Sequence, residues 1–263
     1  NRVSPGVSVA EIDLTTRAPA VSTSIGGFVG NFRWGPVEEI TTVSSENDVL
    51  NKFGTPTAAT TIDFHVLAQF LSYSNNAEVV RVIDGDGNNA NAGGDDACVV
   101  KNRTNYDAQT FALGTEGHWV AKYPGALGNS LKVEVFGFKT DAGTTQTNFD
   151  AWTYSGRFDG PPATSDYAST RGSSNDEIHV IVIDEDGLIS GTPGSVLEVF
   201  PYLSQASDAK DAFGAANYYK TVINENSSYI WCGATDSTNF ANAGSPATSA
   251  LNYEVTPAGG VVS

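Results

Sequence analysis

Hydrophobic residues come in short bursts along this chain, and their spacing predicts strands and helices in alternation. SIGGFVGNF, residues 24–32, reads as a glycine-interrupted strand closed by the turn residues Gly35 and Pro36, and EEITTV, residues 38–43, as a second strand. Ser45 with Asp48 three positions on, then Val49, Leu50 and Phe53 and a stop at Gly54, predicts a short capped helix. Phe64, Leu67, Ala68 and Leu71 stand at i, i+3, i+4 and i+7, which predicts a longer helix after Pro56 that ends by Asn75 and Asn76. AEVVRVI, residues 77–83, follows as a strand, so the order strand, helix, strand points to a local α/β unit with its sheet packed on the helix.

Beyond it, DGDGNNANAGGDD, residues 84–96, has neither period nor bulk and reads as a solvated loop. Strands are expected at HWVAKY, LKVEVFGF and DEIHVIVID, with Glu185, Asp186 and Gly187 as a hairpin turn before LISG. Residues 137–176 are rich in Thr, Ser, Asp and Gly and are expected to form a loop-rich excursion. Residues 208–226 hold one or two helical turns that lead into a strand at SSYIWCG, and residues 235–252 read as loop. At the other end, Val7, Val9, Ile12 and Leu14 alternate only loosely between prolines, so residues 1–20 read as an extended arm. The expected class is α+β, a mixed α/β fold of β-sandwich-like sheets flanked by a few short helices, with residues 21–263 as one domain.

Composition narrows the functions open to such a fold. With 40% apolar residues in 263 the chain can fill a core, and its net charge of −16 repels phosphate backbones and anionic membrane surfaces. Neither direct nucleic-acid binding nor membrane insertion is expected, since no apolar run reaches the length of a span and no basic-then-apolar signal opens the chain. A soluble protein is the expectation. Cys98 and Cys232 sit beside apolar runs and read as small buried residues in a reducing compartment rather than as a disulfide. Methionine is absent and the chain begins at Asn1, from which we expect that native residues precede it.

Candidate chemistry is sparse. His65, His118 and His179 lack partners at metal-ligand spacing, and no nucleophile elbow, P-loop or zinc-protease motif occurs, so no cofactor is expected. Asp84, Asp86, Asn88 and Asp95 fall at positions one, three, five and twelve of an EF-hand-type calcium loop, but Asn89 replaces the glycine at six; a bare surface loop is the simpler reading. Asp184, Glu185 and Asp186 could supply a carboxylate pair for acid/base work on a sugar, yet DEDG between apolar strands reads first as a solvated hairpin tip. Trp119, Trp152, Trp231, Tyr218 and Tyr219 could make a glycan platform but read first as core.

Four phrases in series carry a resemblance: SPGVSVAE, FRWGPVEEITTVSSENDVLNKFGTPT, FLSYSNNAEVVRVID and YPGALGNSLKVEV. Together they resemble the tail sheath proteins of contractile-tailed, T4-like bacteriophages, over most of residues 4–262, and DEIHVIVIDEDGLISG and SSYIWCG are similar to later strands of that family. The resemblance implies a non-enzymatic subunit of the virion tail, assembled in the host cytoplasm into stacked rings. These surround a tube whose passage through the host envelope is driven by contraction. It implies as partners the subunit itself, the tail tube protein, and the baseplate and tail terminator proteins. It also implies that residues 1–20, with Val7, Val9, Ile12 and Leu14, exchange a strand with a neighbouring subunit. Family members are longer, so this chain is expected to be the outer portion, without the C-terminal tube-facing domain; residues 84–97 are expected to stand where T4-like members insert a peripheral domain. A sheath from a phage-tail-like injection system, a calcium-dependent or glycan-binding adhesin, and a carbohydrate-acting enzyme using Asp184 or Glu185 remain as alternatives.

Overall fold

Strand β1 (Gly26–Gly30) pairs in parallel with β3 (Ala77–Arg81), and β2 (Ile40–Val43) pairs antiparallel with β3 on its other side. A parallel pair needs a crossover, and here it contains β2 and the helices α1 (Glu46–Phe53) and α2 (Thr61–Leu71). Their apolar faces, Val49, Phe53, Phe64, Leu67 and Leu71, close on Val43, Ala77 and Val79. A side chain at Gly26 would place its Cβ 2.4 Å from the Phe70 ring, so glycine lets α2 lie close to β1. The Ser45 hydroxyl accepts the Asp48 amide at 3.2 Å and the Asp48 carboxylate accepts the Ser44 amide at 3.1 Å, a capping pair in which Asp serves for Glu. Gly54 ends α1 at φ +77°.

These coordinates are a computed structural model that describes residues 25–85, 87–92, 98–113, 116–137, 142–234 and 247–250. After β3 come α3 (Arg103–Asp107), β4 (Trp119–Ala121), a 3₁₀ turn (Ala126–Ser130), β5 (Leu131–Gly137), α4 (Ala142–Ala151), a second 3₁₀ turn (Ser155–Arg157) and α5 (Asp166–Ser169). Then follow β6 (Glu177–Asp184), β7 (Ser195–Ser204), α6 (Tyr219–Asn226), β8 (Ile230–Cys232) and β9 (Ala247–Ala250). They build an antiparallel pair β4–β8 and an antiparallel sheet in the order β7-β6-β5-β9.

The central strands β5 and β6 are buried on both faces, which explains the unbroken apolar run in β6. On one face Leu131, Val133, Val135, Val180 and Val182 share a core with Trp119, Ile223 of α6, and Ile230 and Cys232 of β8. On the other, Phe136, Ile181 and Ile183 meet Phe149 and Trp152 from the excursion after β5. The mixed α/β class expected from the sequence, small sheets with a few short helices, is the one observed.

Several local expectations need correction. The strand that returns beside β6 is Ser195–Ser204 rather than LISG, because Asp184 ends β6 by binding the loop 185–190 instead of opening a tight turn. The stretch read as a solvated loop is partly core: Asn89, Ala90 and Asn91 are buried, and Ala90 and Ala92 bond the backbone of β4. A further short strand, β9, lies within residues read as loop. The arm residues Val7, Val9, Ile12 and Leu14 lie outside the described residues.

Candidate functional site

The YPGALGN corner is where the three-stranded unit meets the larger sheets, and a buried cation ties them together. Arg81, at the end of β3, is fully buried. Its Nε donates to the Phe32 carbonyl at 2.7 Å, Nη1 to the Gly35 carbonyl at 2.8 Å and Nη2 to the Pro124 carbonyl at 2.8 Å. The first two bonds fix the segment that leaves β1, and the third reaches into the corner. Burial pulls the guanidinium pKa down to about 9, so it stays charged at neutral pH, and its charge is met by carbonyl dipoles rather than by a hydrogen-bonded carboxylate. The sequence signal was a lone cation inside the apolar run VVRVI.

Around Arg81 the corner is built to close tolerances. Gly125 takes φ +132°, a conformation reserved for glycine, and donates its amide to the Asn88 carbonyl at 3.0 Å. A Cβ on Gly128 would stand 2.8 Å from that of Ala121 and 2.9 Å from that of Ala90. Asn89 beneath it donates to the Val100 and Ala121 carbonyls and accepts the Val100 amide at 2.7 Å. The Tyr123 ring meets Trp34 edge-on at 5.3 Å, and burial raises its hydroxyl pKa. Beside the corner opens a cleft of about 800 Å³, with Trp34, Lys52, Tyr123, Leu188 and Tyr229 among its walls. Lys122, also in its lining, lies 3.3 Å above the Trp231 ring centroid, and burial lowers its pKa to about 8.

The remaining predicted groups fall in separate places. Asp84 is exposed and accepts the Gly85 amide at 2.7 Å, while Asn88 gives its carbonyl to Gly125; Asp86 and Asp95 lie outside the described residues. Asp184 is not at a solvated tip. It is buried, and its carboxylate accepts the Ser130 hydroxyl at 2.5 Å, the Ile189 amide at 3.0 Å, and the amide and hydroxyl of Ser190 at 2.6 and 2.7 Å. Both oxygens are thus engaged in holding the loop, away from solvent. Glu185 is exposed, 3.3 Å from Lys132. His65 is exposed on α2 and His118 lies 3.3 Å from the Ala234 carbonyl. Among the described residues, no three His, Cys, Asp or Glu side chains come together as a metal site. Trp119, Trp152 and Trp231 are core residues, and Cys98 and Cys232 are buried free thiols.

The buried side chains of Arg81 and Asn89 are thus spent on main chain, which fixes the shape of the corner. Sequence comparison agrees with a structural role. The chain is 32% identical over 198 residues to the tail sheath protein of Salmonella phage ViI, which covers 75% of this chain. It belongs to the bacteriophage tail sheath protein family. Tail sheath proteins of Enterobacteria phage T4 and Vibrio phage KVP40 are each 38% identical, over 84 and 82 residues, or 32% and 31% of this chain. The chain spans only 28% of the length of the phage ViI sheath protein, and 13% and 12% of the other two. Among solved structures, the sheath tail proteins of Listeria innocua and Desulfitobacterium hafniense overlap 87% of this chain at TM-scores of 0.42 and 0.40, with 14% and 13% identity, covering 33% and 34% of those chains. At that level of overlap they carry no part of the assignment. No family model matches the chain.

Proposed function

We propose that the full-length protein is the subunit of a contractile sheath, stacked in rings around the tail tube in the virion and assembled in the host cytoplasm. Its rearrangement into a shorter, wider lattice drives the tube through the host envelope. Its role is mechanical rather than catalytic, and the energy resides in contacts between subunits. The tail tube, baseplate and tail terminator proteins are its partners. The observation that carries this reading is the 32% identity to a phage tail sheath protein over three quarters of the chain. The corner around Arg81 supports it, because an element that transmits force must keep its shape under load and here the buried Arg81 and Asn89 side chains are bonded to main chain.

Within this reading, residues 1–20 form the arm that adds a strand to a neighbouring subunit through Val7, Val9, Ile12 and Leu14. The present chain supplies the outer part of the subunit, and the tube-facing part belongs to the remainder of the polypeptide. The test is negative-stain electron microscopy of the full-length protein beside a version lacking residues 1–18. Striated tubes from the first and folded but unpolymerised protein from the second are expected. Failure of the full-length protein to form tubes under any salt condition would overturn the sheath reading; tubes from the truncated version would overturn the role of the arm alone.

A further inference from the structure

Among the described residues His179 is the buried histidine, and both of its nitrogens are committed. It sits on β6, fully buried, on the sheet face covered by the excursion after β5. The Tyr202 amide points at Nδ1 from 3.0 Å, and an amide can only donate, so Nδ1 accepts and the hydrogen resides on Nε2. Nε2 then donates to the Gly160 carbonyl at 2.8 Å. The Tyr202 hydroxyl donates to the same carbonyl at 3.2 Å, so two elements of the sheet hold one point of the excursion. The Phe158 ring lies flat on the imidazole at 4.2 Å with the planes 10° apart, and Tyr202 meets it edge-on at 4.5 Å. Tyr202 itself has φ +50°, a left-handed conformation that a tyrosine holds only when its surroundings require it.

We propose that residues 149–160 are held on the four-stranded sheet by a latch that closes only while the His179 ring is uncharged, so that acid releases this layer and uncovers the apolar face beneath. A proton added to Nδ1 sets one N–H against the N–H of Tyr202, removes the bond that holds the left-handed residue, and places a charge between the rings of Phe158 and Tyr202, away from water. Titratable groups on the surrounding elements are Glu177 on the same strand, Tyr202 on β7, Lys132 and Glu134 on β5, Asp150 on α4, and Tyr154, Arg157 and Asp159 in the docked segment. Two of these also bond the excursion after β5. Glu177 accepts the Ala163 amide at 2.9 Å and Glu134 accepts the Trp152 indole at 2.7 Å. Burial carries the pKa of His179 down to about 4, and the uncovered ring would return to its ordinary value near 6.5.

Between those limits each pH unit multiplies the released fraction by about ten, so release should rise roughly 40-fold between pH 6.5 and 4.5. Hydrogen exchange of this chain, corrected for intrinsic rates, should report that rise at the amides of residues 149–160 and none at β1 to β3. In His179→Gln the step should vanish, whatever the absolute protection. A flat profile in the wild type overturns the latch, as does a step that survives in His179→Gln. Should that variant not fold, NMR titration of the His179 ring decides: a midpoint well below 6.5 supports the latch, and one near 6.5 overturns it.

Discussion

Replacing Arg81 by methionine removes three hydrogen bonds at once while nearly preserving side-chain length. The carbonyls of Phe32, Gly35 and Pro124, 2.7 to 2.8 Å from the guanidinium, would lose its donors in the interior. A buried acceptor left unpaired costs about 1–3 kcal/mol. Against this stands the relief of no longer burying a cation, itself worth several kcal/mol. The net loss for Arg81→Met should be about 3–5 kcal/mol, a large part of the 5–15 kcal/mol that ordinarily separates folded from unfolded protein. Arg81→Lys should fall between, since one ammonium cannot span carbonyls in three directions. Arg103→Met is the control: its guanidinium pairs with Asp107 at 2.9 Å on an exposed helix turn, and its loss should cost about 0.5 kcal/mol or less. Urea unfolding followed by tryptophan fluorescence measures all three. If Arg81→Met lies within about 1 kcal/mol of wild type with an unchanged denaturant slope, the arginine does not hold the two units together as argued.

Two further changes probe the corner and its neighbours. Gly128→Ala should cost about 1–3 kcal/mol because its Cβ meets two alanine methyls below 3.0 Å, whereas Gly156→Ala, with open space around it, should leave the melting temperature unchanged; equal effects would refute the packing argument. Asp184→Asn should cost about 2 kcal/mol at pH 7. Burial pushes the Asp184 carboxyl pKa up, but its bonds from Ser130, Ser190 and Ile189 outweigh this and hold it below the usual value. Its contribution is therefore complete above about pH 4 and is lost as pH falls through the depressed value, so the stability gap between wild type and variant should close in that acid range. A gap that stays constant down to pH 2.5 would contradict it.

The small α/β unit was legible because its code is local: Ser45 and Asp48 cap α1, Gly54 stops it, and the i, i+3, i+4, i+7 apolar set of α2 faces its own sheet. The larger sheet was legible only where a strand is apolar throughout, as in β6. Strand β7 escaped because SVLEVFPYLS contains a proline and a positive-φ tyrosine, features that normally mark a turn; an edge strand tolerates both. Asp184 looked like a hairpin tip because sequence shows an acid before a glycine, not the serine hydroxyl 54 positions earlier that turns it inward. Asn89 looked solvated for the same reason, since its partners Val100 and Ala121 are distant in sequence. The YPGALGN phrase marked the right place, but only the fold brought Arg81 to it.

The pairing of β4 with β8 has a consequence for biosynthesis. Trp231 donates its indole hydrogen to the Lys122 carbonyl, 109 positions earlier, and Tyr106 bonds the Cys232 carbonyl, 126 positions away. The strands and helices of the three-stranded unit, by contrast, have all been synthesised once residue 83 has left the ribosome. At about 5–20 residues per second, Trp119 and Leu131 wait on the order of 5–20 s for β8. The contacts that close the large core are thus of much higher sequence separation than those of the three-stranded unit, so they are the slower to form.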